Sequence, residues 1–166
     1  MKKLIRLVLL VGMIALAVWV GLNLFPNPKQ AIRNRLNKLA QLASYSAREG
    51  NLSRIANIQK LGLLFSDDAQ VTVDVPGLEA HTFNRREELM QAAMAAKSVS
   101  TAIKAEFLDM NIELGSGNLS ALVDLTLKAK VTGDNDMIAQ ELKFTMKKIN
   151  GDWLITRIET VKTLKP

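Results

Sequence analysis

From Leu119 to Val131 the residues Leu119, Ala121, Val123, Leu125, Leu127, Ala129 and Val131 share one parity and mostly polar residues fill the other. A period of two sustained over this length requires a strand with one buried face. Gly133-Asp134-Asn135-Asp136 reverses the chain, and a second alternating stretch, Ile138 to Met146, follows. If Val131 faces Ile138, the register opposes Leu127 to Leu142, Leu125 to Phe144 and Val123 to Met146 on the inner face. Lys128 then faces Glu141 on the outer one. A one-residue slip would turn every apolar side chain into water. The rest of the chain must extend this hairpin and cover its apolar face.

Two further strands flank it. Asn150-Gly151 predicts a tight hairpin, because both central positions of such a turn take positive φ. A two-residue turn sets Met146 opposite Ile155 and turns Trp153, Ile155 and Arg157 inward. A three-residue loop instead buries Leu154, Thr156 and Ile158, leaving Arg157 as a solvated strand charge, which is the preferred reading. Upstream, Ile103, Ala105 and Phe107 have one parity while Leu108, Met110, Ile112 and Leu114 have the other. One buried face survives that change only with an extra residue, so a β-bulge is expected near Phe107-Leu108. Gly115-Ser116-Gly117-Asn118 reads as a turn.

The covering layer is helical. Asn27-Pro28 starts a helix, and Ile32, Leu36, Leu39, Ala43 and Ala47 form its apolar stripe up to Gly50. A second helix starts at Asn51 or Ser53, with Leu52, Ile55, Ile58 and Leu61 inward and Gly62 near its end. Leu64-Phe65, a short acidic turn and then Val71, Val73 and Val75 convert the helical period to a strand, closed by Val75-Pro76-Gly77. Asn84-Arg85-Arg86-Glu87 has the form of a capping box before Leu89, Ala92, Ala93 and Ala96, a small-residue face suited to lying against a sheet. His81 sits in the loop between, where a lone histidine reads as surface.

The first 25 residues differ from the rest. Leu7 to Phe25 carries no charge over 19 residues, near the roughly 20 needed to span a bilayer core. Lys2, Lys3 and Arg6 precede it and Ala15-Leu16-Ala17 resembles a cleavage site, so a secretory signal peptide is the rival. The apolar run continues past that site to Phe25, which favours an uncleaved anchor. Lys29, Arg33, Arg35 and Lys38 nearly balance the amino-terminal charges, so the orientation rests on the short basic start leading into the run. The expected organisation is a signal anchor over 1–25 and one domain over 26–166, in a bacterium held at the inner membrane with the domain in the periplasm. The lipid bilayer is thus an expected partner, through residues 7–25.

Lys2, Lys3 and Arg6 supply three of the formal charges in the net +6. The remaining excess, on Lys29, Arg33, Arg35, Lys38, Arg48, Arg54 and Lys60 against Glu49, lacks the interleaved aromatics of a nucleic-acid surface. Solvated helix faces are the preferred reading, and contact with anionic lipid headgroups comes next. The chain has no cysteine, which excludes disulfides, thiolate metal sites and cysteine nucleophiles. No metal or cofactor is expected.

Leu64-Phe65-Ser66-Asp67-Asp68-Ala69, the helix start Asn84-Arg85-Arg86-Glu87-Glu88-Leu89 and the strand Gly151-Asp152-Trp153-Leu154-Ile155 together resemble the nuclear transport factor 2-like superfamily. Many relatives have glycine where this chain has Asn84, and either residue can cap. The resemblance spans roughly Asn27–Thr163 and implies an α+β fold, a curved antiparallel sheet wrapped around helices as a cone, here preceded by one transmembrane helix. In ketosteroid isomerases of this superfamily the cone holds the substrate. Aligned on the junction and Gly50, the isomerase tyrosine falls on Ala43, the catalytic base on Val73 and the second acid on Leu142. No polar member of that set remains, so no catalytic residue is assigned. Asp74 adjoins the base position on the opposite strand face.

Three readings follow. The first is a membrane-anchored, non-catalytic interaction or assembly domain with a protein partner, similar in layout to single-span proteins of bacterial secretion machines. The second is a binding domain for a small apolar molecule, with Tyr45, Val73, Leu142, Phe144 and Arg157 as cavity candidates. The third is an isomerase or dehydratase-type enzyme, which needs a positioned acid or base.

Overall fold

The computed structural model describes residues 12–13, 27–46, 49–74, 80–99, 102–132 and 137–161. Apart from Gly12 and Met13, the apolar run 7–25 lies outside the described residues, as do Val75-Pro76-Gly77, the 133–136 reversal and Ala47. Among the described residues no helix is long and apolar enough to cross a membrane. The elements are α1 (Pro28–Ala43), α2 (Asn51–Gly62), β1 (Phe65–Val73), β2 (His81–Phe83), α3 (Arg86–Val99), β3 (Ile103–Leu114), β4 (Ser120–Val131), β5 (Met137–Ile149) and β6 (Asp152–Thr160), with a 3-10 turn at Ser116–Asn118. The six strands form one curved sheet in the order β2-β1-β6-β5-β4-β3. It is not wholly antiparallel, because β1 and β6 run parallel.

Asn27 Oδ1 accepts the Lys29 amide at 3.0 Å and Pro28 occupies the first turn, so α1 begins as its sequence predicts. It ends at Ala43, well short of Gly50. Tyr45 exchanges two backbone hydrogen bonds with Ile103, at 2.9 and 3.0 Å. The Ser44 hydroxyl receives the Ala105 amide at 2.9 Å and donates to Ala40 O at 2.8 Å. Pairing with β3 thus competes successfully with further helix. Gly50 becomes the residue before α2 rather than the end of α1.

On α2, Ile58 and Leu61 are buried, but Leu52 and Ile55 are 85% and 44% exposed, against expectation. Leu52 stands about 120° round the helix from Ile58, on the face turned from the sheet. Gly62 permits close packing on α3, since a Cβ there would lie 2.5 Å from Met90 Sδ.

The acidic turn expected after Phe65 is instead a distorted part of β1. The pairing moves from Phe65–Ile155 to Gln70–Arg157, so β1 uses five steps where β6 uses two. Phe65 and Ala69 stay buried while Asp67 and Asp68 loop into solvent. His81 lies in an edge strand rather than a loop, its ring edge-to-face with Phe83 at 4.5 Å. The carboxylate that reaches back at the start of α3 is Glu88 rather than Glu87, accepting the Asn84 amide at 2.9 Å. Arg86 pairs with Asp67 at 2.7 Å and ties that helix to β1. Ala96 is exposed, the remaining apolar members of the expected α3 face being half-buried.

The expected bulge in β3 occurs between Leu108 and Asn111, with Asp109 at φ 54. It leaves Leu108 outside and turns Met110, Ile112 and Leu114 inward. The β4–β5 register differs from the expected one by two residues: Ala121 faces Met146, Val123 Phe144, Leu125 Leu142, Leu127 Gln140 and Ala129 Ile138. Parity, and hence the buried face, is unchanged, but Glu141 lies opposite Thr126 and Lys128 opposite Ala139.

Asn150 and Gly151 take φ 51 and 92 in the two-residue turn, setting Ile149 opposite Asp152 and Met146 opposite Ile155. A bulge between Thr145 and Met146 then changes the parity. Trp153 and Ile155 are therefore buried, Ile158 also turns inward, and Arg157 points out. The two alternative registers each describe one half of β6. The core joins Ile32, Leu36, Leu39 and Leu42 of α1 to Val123, Leu125, Phe144, Met146, Trp153 and Ile155 of the concave sheet face.

Candidate functional site

The helices do not fill the whole concavity. A cavity of about 450 Å³ remains between Leu39 and Ala43 of α1, Leu89 of α3 and the inner faces of β1, β3, β4, β5 and β6. Its wall includes Phe107 and Phe144, packed edge-to-face with ring centroids 5.6 Å apart. Val73 and Ile138, 38% and 54% exposed, put its mouth at the end of the sheet where β1 finishes and β5 begins.

Of the sequence candidates, Val73, Leu142 and Phe144 line this space, whereas Tyr45 and Arg157 do not. Ala43, Val73 and Leu142, the three positions matched to the isomerase tyrosine, base and second acid, all lie on the wall. The topology therefore brings the three positions to one cavity, each carrying an apolar side chain.

Among the described residues no titratable side chain lines the cavity; the polar residues on its wall are Thr72, Gln140 and Thr160. The Thr72 hydroxyl is 3.1 Å from that of Thr82, and Thr160 Oγ1 accepts the Asp74 amide at 3.0 Å. Gln140 Nε2 donates to the carbonyls of Glu141 and Val161, each at 3.1 Å. Each of these three residues thus makes at least one side-chain hydrogen bond within the protein. Charges gather outside the cone: Lys104 with Glu106 at 2.7 Å, Asp124 with Lys143 at 3.6 Å and Arg157 with Glu159 at 3.3 Å. The hydrogen bond between Lys104 and Glu106 raises the lysine pKa and lowers that of the glutamate. Among the described residues no group of three His, Asp or Glu side chains is placed to hold a metal ion.

Sequence reasoning passed over a second polar centre. Lys97 on α3 is 3% exposed, donates to Leu42 O at 3.2 Å, faces Glu49 at 3.8 Å and lies 5.1 Å from the centroid of the Tyr45 ring. Burial pushes its pKa below 10.5, Glu49 opposes that shift and Arg54 adds to it. Tyr45 donates its hydroxyl to Ala96 O at 3.2 Å. The tyrosine considered as a handle in the cone therefore straps α3 to the chain after α1. The available signal was spacing: Lys97 lies four residues after Ala93 and seven after Met90, on the inward side of α3.

The chain has the nuclear transport factor 2-like fold. Among solved structures it resembles a provisionally named scytalone dehydratase from Novosphingobium aromaticivorans, with a TM-score of 0.63 at 15% identity, over 82% of this chain and 84% of that one. A nuclear transport factor 2-like protein of unknown function from Shewanella oneidensis superposes with a TM-score of 0.60 at 14% identity, over 81% and 98% of the two chains. A similar protein of unknown function from Pseudomonas putida gives 0.58 at 13%, over 81% and 94%. At these identities the shared property is the fold, and function depends on what lines the cone. No protein-family model and no curated protein sequence matches the chain.

Proposed function

We propose that this domain binds a small, uncharged apolar molecule in its cone without converting it, and that residues 7–25 hold it at a membrane. The observation carrying the binding reading is the largely apolar wall of a cavity of about 450 Å³, where Thr72, Gln140 and Thr160 each hydrogen-bond within the protein. Pockets of a few hundred Å³ with apolar linings are usual for small-molecule sites. An ionised ligand would lose its hydration there without gaining a counter-charge. Acid–base turnover would need a titratable group within reach of the substrate, and Ala43, Val73 and Leu142 provide none. On this reading the dehydratase name stays with that structural neighbour.

The test is titration of the full chain in lipid nanodiscs with an environment-sensitive apolar dye, using empty nanodiscs as the blank. Saturable emission that Ala129→Phe abolishes is the expected result. Emission indifferent to that substitution would overturn the reading. The second reading, an assembly domain for a protein partner, draws support from the exposed apolar mouth, where Val73, Met137 and Ile138 could receive a partner's apolar side chain. Placement on the non-cytoplasmic side, the periplasm in a bacterium, belongs to the same proposal. A reporter active only after export, fused after Pro166, tests it, and activity of a cytoplasmic reporter would refute it.

A further inference from the structure

The polar part of the cone wall gathers at its mouth. Gln140 shares the inward parity of Leu142 and Phe144 on β5, and Thr160 stands opposite Leu142 on β6. Gln140 Nε2 reaches Val161 O, the carbonyl that follows Thr160, at 3.1 Å, so its carboxamide crosses from β5 to β6 beside that threonine. Thr160 Oγ1 receives the Asp74 amide at 3.0 Å, just beyond the end of β1. The pairing of Thr72 with Glu159 puts Val73 level with Thr160, while Ile138 lies two residues from Gln140 on the same strand face. Gln140 and Thr160 thus stand where Val73 and Ile138 mark the opening.

Their hydrogen-bonding capacity is only partly used. A carboxamide has a donating nitrogen and an accepting oxygen, and a hydroxyl can donate once while accepting through its lone pairs. The carbonyls of Glu141 and Val161 both accept from Gln140, which assigns Nε2 to the strand side and turns Oε1 the other way, to the open side. Thr160 Oγ1 accepts from Asp74 and keeps its own proton to give. Among the described residues neither Gln140 Oε1 nor the Thr160 proton has a partner. The sealed side-chain atoms that lack one are, among those residues, Arg35 Nε, Glu49 Oε2 and Arg54 Nε, so Gln140 Oε1 is not closed off by protein. One acceptor and one donor remain, side by side, at the mouth of a largely apolar space.

A ligand that satisfies both must donate and accept through one neutral group. A hydroxyl does so. A ketone or an ether could take the Thr160 proton, but its lone pairs would face Gln140 Oε1 and leave that oxygen unsatisfied. A carboxylate would bring a full charge to the same oxygen and find no cation on the wall, and an ammonium would find no carboxylate there. Phe144 stands four residues from Gln140 along β5, about 13 Å at 3.3 Å per residue, which is the depth open to an apolar body below the hydroxyl. Granted that the cone is a binding site, as proposed above, we infer that it takes an apolar alcohol or phenol. The ligand hydroxyl donates to Gln140 Oε1 and accepts from Thr160 Oγ1, and its body lies inside against Phe107 and Phe144.

The test is displacement of the apolar dye from the full chain in nanodiscs by para-butylphenol and by para-butyltoluene, which differ only in carrying hydroxyl or methyl. The ratio of their displacement constants is the hydroxyl preference, and its change between parent and variant cancels partition of either compound into lipid. Gln140→Met and Thr160→Val should each lower that preference about three- to tenfold, the loss of one hydrogen bond, while para-butyltoluene displaces the dye as before. Thr160→Ser keeps the hydroxyl and should keep the preference. A variant that merely loosened the mouth would weaken both compounds alike, and that outcome would overturn the inference. So would a preference that neither Gln140→Met nor Thr160→Val changes. If the dye signal is at the same time saturable and abolished by Ala129→Phe, the cone still binds and only the ligand class is wrong. A dye signal indifferent to Ala129→Phe would instead remove the binding reading and the ligand class together.

Discussion

Around Ala121, Val123, Met146 and Ile155 the inner face of the sheet is sealed, each residue at most 2% exposed. Farther along the same sheet, Leu127, Ala129, Gln140 and Ile158 bound an open cavity instead. The strands, the pleat and the alternation are continuous between the two ends. What differs is the cover: α1 meets the sealed end with Ile32 and Leu36, both fully buried, and ends at Ala43 where Ser44 and Tyr45 turn to pair with β3. Stability is therefore concentrated at one end, and the other is free to hold a ligand.

The largest effect is expected at the boundary. Phe144 is 1% exposed, packs on Phe107 and separates the sealed core from the cavity. Phe144→Ala should cost about 3–5 kcal/mol in chemical denaturation, because the removed ring leaves space the sheet cannot collapse into. A loss below about 1 kcal/mol would show that the two ends are not distinct in energy.

A matched pair of additions sharpens the contrast. Ala121 and Ala129 lie on the same strand with the same parity, eight residues apart. Ala121→Phe must force a ring into a packed layer and should destabilise by about 1–3 kcal/mol. Ala129→Phe places its ring in existing space and should change stability by less than about 1 kcal/mol while abolishing dye binding. Equal destabilisation would mean that the open end is as tightly packed as the sealed one.

This contrast was only half legible in the sequence. Alternation identifies the buried face of β4, but it is blind to a shift of two residues, which keeps every side chain on its side. That is how Leu127 came to be matched with Leu142 rather than Gln140. The bulge in β3 was legible because it changes parity among apolar residues. The one in β6 was not, since Trp153 and Ile155 fit one alternative and Ile158 the other, and the turn at Asn150 and Gly151 sets the register only up to Met146 opposite Ile155. The apolar wall could be anticipated at Ala43, Val73 and Leu142, but its emptiness could not. That depends on where α1 ends, and Ser44 and Tyr45 look as helix-compatible as their neighbours until β3 is beside them.

A smaller effect is expected where α3 meets the chain after α1. Lys97 has a folded pKa below 10.5 because it is buried, with Glu49 opposing and Arg54 adding to the shift. Between that folded value and 10.5 the unfolded chain binds more protons than the folded one, so this residue makes stability rise with pH through the window and level off above it. Lys97→Met should remove the rise. The check is the difference between the two stability curves from pH 7 to 11, which cancels lysines that both proteins share. A parallel pair of curves would show that Lys97 is not titrating in a buried site.

The smallest effect is expected at Arg157. The bulge between Thr145 and Met146 turns it away from the cavity, and its side chain is 52% exposed and 3.3 Å from Glu159. An exposed pair of this kind contributes about 0–1 kcal/mol. Arg157→Ala should therefore lower stability by less than about 0.5 kcal/mol and leave dye affinity unchanged. Its inward neighbour gives the matched comparison: Ile158→Ala, one residue on, removes part of the cavity wall and should weaken dye binding. If Arg157→Ala weakened binding while Ile158→Ala did not, the parity of β6 would be reversed and the open end would contain a cation. A charged ligand would then replace the uncharged one proposed for the cone.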